Sequence, residues 1–184
     1  MRKIFFLFLV VSLFGSIAVA QVPTSGNVFF GYSFYNTNLS SLDRANTNGW
    51  QATLEGKFLP FIGFVADIDA HYGSQNFVGT CPPVPGPCGT FNSGLTEHNY
   101  MFGPRASASV GPVRPFAEFE IGLGHAKLDA GPSDSSLAYA LGGGIDYKLL
   151  KIFAWRLQGD YIRTKFFDSH QGSARISTGL VLRF

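Results

Sequence analysis

The chain has 184 residues, of which 46% are hydrophobic, 15% aromatic and 14% charged. One domain fits that length, while the charged fraction is low beside the roughly 25% of soluble domains. Arg2 and Lys3 account for the whole excess of 14 basic over 12 acidic residues, so the rest of the chain offers no electrostatic footprint for nucleic acid.

MRKIFFLFLVVSLFGSIAVA opens on that basic pair, continues in an uncharged apolar run from Ile4 to Phe14 and ends in Ala18-Val19-Ala20. This is the layout of a secretory signal peptide over residues 1–20, with cleavage after Ala20 and an exported domain over residues 21–184. A transmembrane anchor is the other reading, but the apolar run is short of the about 20 residues a spanning helix needs.

Eight segments of period two follow: Val28 to Tyr35, Trp50 to Phe58, Ile62 to Tyr72, His98 to Ser107, Phe116 to Ala126, Leu137 to Lys148, Phe153 to Thr164 and Arg175 to Phe184. Each is close to the about 9–11 residues of a tilted strand that crosses a membrane. No window carries a sustained helical period. Long polar connections follow the odd segments and tight turns follow the even ones. The turns are Leu59-Pro60-Phe61, Gly111 to Pro115 and Leu149 to Ile152. Long loops at one end and short turns at the other is the arrangement of an outer-membrane barrel.

The two faces of the segments differ. One reads Trp50, Leu54, Phe58, Ile62, Phe64, Ile68, Phe119, Leu123, Tyr139, Leu141, Trp155, Leu157 and Tyr161. The other mixes glycine with Gln51, Thr53, Gln158 and charges of both signs. A water-exposed sheet face has no use for glycine, which weakens strands; a narrow lumen does, because small residues leave room for long charged ones opposite. The apolar face is therefore assigned to lipid. A periplasmic lipocalin-like barrel, apolar inside, is the alternative.

RPFAEFEIGLGHA, YALGGGIDYKL, WRLQGDYIRTKF and the terminal ISTGLVLRF resemble the small outer-membrane β-barrel family that includes the OmpA transmembrane domain. The resemblance implies an all-β, eight-stranded antiparallel up-and-down transmembrane barrel in the outer membrane of a Gram-negative cell. It also implies that Phe184 is an assembly signal read by the barrel-assembly machinery.

The lumen of eight strands is about wide enough for side chains to fill. A charge network is expected there, made of Glu55, Lys57, Asp67, Asp69, Arg105, Glu118, Glu120, Asp146, Arg156, Asp160, Arg175 and Arg183. Unpaired buried charge is costly, so Arg105 and Arg156 are the expected centres, with Glu118 and Glu120 as partners. Cys81 and Cys88, in CPPVPGPC of the longest loop, are expected to form a disulfide in an exported chain.

His98 beside Glu97, with Ser74 or His71 across the hairpin, is the one grouping that suggests a lipid-modifying enzyme. A base needs a nucleophile or water in reach, and the spacing does not demand it. LGGGIDY precedes no helix and is no phosphate loop. The expectation is a monomeric barrel with a structural or surface-interaction role, without catalysis, cofactor or metal. It meets outer-membrane lipid and an unidentified loop partner; a small passive pore is the alternative.

Overall fold

A strand with lipid on one side has no water for its backbone there, so every N–H and C=O must be paired within the sheet. The chain meets this condition by closing. The computed structural model describes residues 25–37, 44–78, 89–129, 133–166 and 169–184. The expected signal peptide and the expected Cys81–Cys88 disulfide lie outside the described residues.

The strands are β1 (Gly26–Thr37), β2 (Ala45–Lys57), β3 (Ile62–Val78), β4 (Thr90–Ser107), β5 (Val113–Leu128), β6 (Ser133–Lys148), β7 (Phe153–Phe166) and β8 (Ser169–Arg183). Each pairs antiparallel with its neighbour in sequence, and β1 also pairs with β8, which closes the barrel. Phe30 stands opposite Ala52 on one side and Leu180 on the other. At the junction, the Gly26 N–H donates to the Phe184 carbonyl at 2.9 Å and the Phe184 N–H to that of Gly26 at 3.1 Å.

The alternation sorts the wall. Phe30 (63% exposed), Leu54, Phe64, Phe102, Phe119, Leu141 (67%), Leu157 and Leu180 point outward. Asp67, Arg105, Glu118, Asp146, Arg156 and Arg175 point inward and are buried. That polarity is the reverse of a soluble calyx. The outward apolar belt covers Val113–Leu123 on β5, Tyr100–Ala106 on β4 and Phe153–Tyr161 on β7. Ten residue steps of about 3.3 Å at a tilt near 40° rise about 25 Å, the height of a barrel's lipid-facing band. Phe58, Phe61, Tyr147, Trp155 and Phe184 gather at the turn end, and Tyr32, Trp50, Tyr72, Tyr100, Tyr139 and Tyr161 toward the loop end.

The eight expected segments are all strands, but the long connections are shorter than the sequence pattern implied. β3 and β4 stay paired up to Val78–Thr90, well beyond the apolar belt. There the outward positions turn polar, as at Ser74, Asn76 and Asn92, so the hydrophobic alternation fades while the backbone ladder continues. Side-chain rungs support it: Asn36 Nδ2 donates to Asn46 Oδ1 at 2.6 Å, and Asn92 Nδ2 to Asn76 Oδ1 at 2.9 Å. At the other end the β4–β5 turn is tighter than expected. Gly111 takes φ 61°, open to a residue without Cβ. β5 then starts at Val113, which sends Arg114 into the barrel.

Candidate functional site

The lumen is the candidate site. Position parity carries Gln51, Thr53 and Glu55 of β2 inside, with Asp67, Asp69 and His71 of β3, and Arg114, Phe116, Glu118 and Glu120 of β5. From the facing strands come Arg105 of β4, Asp146 of β6, Arg156, Gln158 and Asp160 of β7, and Arg175 of β8.

The half near the turns is built on three arginines. Arg105 Nε donates to Glu118 Oε2 at 2.6 Å, and its Nη1 to Glu55 Oε2 at 3.0 Å. Arg156 grips Asp146 bidentately, Nε to Oδ1 at 2.7 Å and Nη2 to Oδ2 at 3.1 Å, and also donates to Thr53 and Asn27. Arg114 donates to the other oxygen of Glu55 and to Ser107 Oγ. The Phe116 ring lies between two guanidiniums, with its centroid 4.5 Å from Arg105 Cζ and 4.7 Å from Arg156 Cζ. Like charges are held close there because an aromatic face attracts each of them.

The half nearer the loops turns on Arg175. Its Nε donates to Asp160 at 2.8 Å, its Nη2 to Asp67 at 2.6 Å and its Nη1 to Asp69. Each carboxylate has a neutral donor as well: Gln158 to Asp160, Gln51 to Asp67, Asn99 to Asp69. Above this layer, Tyr35, Met101, Ala138, Ala140 and Ile162 form an apolar cap inside the lumen. Below the first layer, Phe29, Ala154 and Val181 form another.

The expected assignments divide as follows. Arg105 meets Glu118, but Arg156 meets Asp146 instead, and Glu120 bonds to neither arginine. Both Glu120 carboxylate oxygens are buried with no hydrogen-bond partner. Arg175 is the second centre in place of a peripheral member. Lys57 and Arg183 line the turn-side mouth with Arg114, and Arg183 reaches Asp146 only at 3.9 Å. Arg114, Asn27, Asn99 and Phe116 were not anticipated as members. Parity with Glu118 gave the signal for Arg114 and Phe116, obscured for Arg114 by the prolines on either side of it.

The suspected catalytic grouping is split by the wall: His98 and Ser74 belong to the outer face, Glu97 and His71 to the lumen. A different row forms inside. His71 Nε2 lies 2.8 Å from Ser33 Oγ, and its Nδ1 3.2 Å from Asp69 Oδ1, off the line of a good hydrogen bond. Ser33 also contacts Ser177 at 2.9 Å, Tyr35 stacks on the imidazole, and all three members of the row are fully buried. The row is enclosed within the packed lumen. Among the described residues no group of three or more His, Cys, Asp or Glu is arranged to hold a metal ion.

No protein-family model matches the chain, and the search of curated proteins returns no match. Solved structures do match. Neisserial surface protein A superposes with a TM-score of 0.66 at 14% identity, over 86% of this chain and 97% of that one. The fold is that of a small eight-stranded outer-membrane β-barrel. OprG from Pseudomonas aeruginosa gives 0.56 at 10% identity, over 89% and 97%. The attachment invasion locus protein Ail of Yersinia pestis gives 0.55 at 16% identity, over 87% and 98%. At these identities the barrel architecture is shared, while the lumen residues of this barrel stand on their own geometry.

Proposed function

We propose that the protein is an outer-membrane barrel with a structural or surface-interaction role, closed to solutes and without catalytic activity. The carrying observation is the lumen: Arg105 and Arg156 are 0% exposed and Arg175 is 1% exposed, and each is bonded to carboxylates on an adjacent strand or across the lumen. Apolar caps lie on either side of that layer. A side-chain core of this kind leaves no continuous wide path for water. An outer-membrane location is supported by the apolar belt, by the N-terminal sequence pattern and by the structural neighbours, two of which carry surface or attachment names. The chain acts as a monomer, reaches the membrane through the barrel-assembly machinery and meets any partner with its loops.

Planar-bilayer recording on the refolded barrel tests the closed lumen. Brief, rare openings or none are expected. Large, stable, ohmic openings would establish the passive pore instead.

A further inference from the structure

We infer that the turn-side mouth of the lumen is a binding site for a phosphate-class oxyanion, held between Lys57, Arg114 and Arg183. The site rests on the reading of the chain as a membrane barrel with a packed lumen.

Charge is sorted along the barrel axis. The three turns, residues 58–61, 108–112 and 149–152, contain no Asp or Glu. Position parity sends Lys57 at the end of β2, Arg114 at the start of β5 and Arg183 at the end of β8 toward the lumen axis. With Ser25 and Ser109 they line a cavity of about 170 Å³. In this half of the lumen Lys57, Arg105, Arg114, Arg156 and Arg183 stand against Glu55, Glu118 and Asp146. Five cations less three carboxylates leave an excess of two, close to the charge of a phosphate monoester at neutral pH.

The acceptors at the mouth are already engaged. Each oxygen of Glu55 accepts from an arginine, one from Arg114 and the other from Arg105. Both oxygens of Asp146 accept from Arg156. The Phe184 carbonyl on the rim accepts from the Gly26 N–H. The donors are not engaged. Arg114 is 4% exposed, yet its Nε has no hydrogen-bond partner, and neither do the enclosed Nε and Nη2 of Arg183. Nε–H and Nη2–H form one edge of a guanidinium, the edge with which Arg156 grips Asp146. That edge fits two oxygens of a carboxylate or phosphate. On Arg183 its approach to Asp146 stops at 3.9 Å, outside hydrogen-bond reach. The Arg183 side chain is 23% exposed and gives up no hydrogen bond when it turns this edge into the cavity. Buried donors left unpaired are costly, and an oxyanion satisfies them while offsetting the repulsion among the three cations. A cavity this small admits one oxyanion and no nucleotide or oligosaccharide. The phosphate is either a free ion or a lipid head group reaching over the rim.

The test uses the full-length barrel with isotopically labelled arginine, refolded in a non-ionic, phosphate-free detergent. It is titrated with inorganic phosphate, with sodium chloride at matched ionic strength, and with phosphatidic acid dispersed in the micelle. Arginine Nε–H resonances are the readout. Those of Arg114 and Arg183 should shift saturably, while that of Arg175, in the other half of the lumen, stays in place. Arg183→Gln, followed at Arg114, should weaken binding roughly tenfold, about the worth of one hydrogen bond to a charged group. Lys57→Gln should weaken it as well, and Lys151→Gln, in the exposed β6–β7 turn outside the cavity, should not. Saturation by inorganic phosphate supports the site and makes its ligand the free ion. Saturation by phosphatidic acid alone supports it and makes the ligand a head group. No saturable shift with either, an equal shift with chloride, or unchanged affinity in both Arg183→Gln and Lys57→Gln would overturn it. Bilayer conductance and unheated gel mobility of the same samples keep these outcomes apart from failure of the underlying reading. Stable openings, or loss of the heat-modifiable form in the wild type, would sink that reading whatever the titration gives.

Discussion

Replacing Arg175 with Met is the sharpest test of how the lumen is held together. The thioether keeps much of the volume and removes the charge. Three carboxylates, Asp67, Asp69 and Asp160, then lose their shared cation in a fully enclosed layer. Removing one partner of a buried ion pair costs about 3–5 kcal/mol. Three lost contacts do not triple that figure, because Gln51, Asn99 and Gln158 still donate one hydrogen bond to each carboxylate. The lower to middle part of the range is the working value. With a urea slope of about 1–3 kcal/mol/M, the unfolding midpoint should fall by about 1–4 M. Fluorescence of Trp50 and Trp155, both on the outer wall, reports the transition in refolded barrel. Adding Asp67→Asn to the Met variant should recover part of the loss by removing one stranded charge. A midpoint that moves by less than about 0.3 M, or a double variant weaker than the single, would refute the view that Arg175 is a structural centre.

Phe184→Ala should reduce barrel assembly in cells while leaving refolding into detergent little changed, because the side chain is 59% exposed at the outer rim and the junction with β1 is held by the Phe184 backbone, the ring only lying over Gly26; equal impairment in both settings would reduce its role to stability. Gly142→Val should destabilise strongly, since a Cβ there would meet Asp160 Oδ1 at 1.8 Å and push it off Arg175, and a wild-type melting profile would show that the layer tolerates the shift. Glu97 lies on β4 past Tyr100, outside the apolar belt, and burial pushes its carboxyl up to about 8 despite the bond from Thr37 Oγ1. A raised carboxyl binds its proton more tightly in the fold than in the unfolded chain, so its contribution is complete below the unfolded range near 4.5 and is lost as pH rises through about 8. Loop-end amide exchange should accelerate between pH 5 and 8 beyond the intrinsic rate, and Glu97→Gln should remove that excess.

The barrel was legible because one physical condition, lipid outside and a tight lumen inside, writes the same two-residue alternation eight times. Its failures follow from where that condition lapses. Beyond the belt the outward positions are polar, as at Ser74, Asn76 and Asn92, while inward Ser93, Leu95 and Glu97 stay buried, so the hydrophobic alternation breaks and strand residues read as loop. The lumen membership of Asp67, Arg105, Glu118, Asp146 and Arg156 follows from parity alone. Their partners do not. Arg105–Glu118, Arg156–Asp146 and Arg175–Asp160 are rungs between adjacent strands, so they become readable only once the register is fixed. Arg175–Asp67 spans the lumen from β8 to β3, and Arg105–Glu55 from β4 to β2, so the strand stagger decides them. The apolar caps were hidden for a related reason: Phe29, Tyr35, Met101 and Ile162 are hydrophobes on the polar parity, and a hydrophobe carries no mark of which side it faces.

The hairpins that rise past the belt also bear on how such a surface can change over time. Where β3 and β4 leave the belt their register is already fixed, rung by rung, down to Ile62–Ala106. A loop at the top of that ladder inherits its anchor points and does not set them. Doubling the length of a flexible loop adds only about 0.6 kcal/mol of closure cost. Sequence at the four outer tips can therefore drift, lengthen or be exchanged for foreign segments while the membrane-embedded part keeps its pairing. The barrel separates the part that must stay constant from the part that is free to vary, and the paired ribbon between them is the insulation.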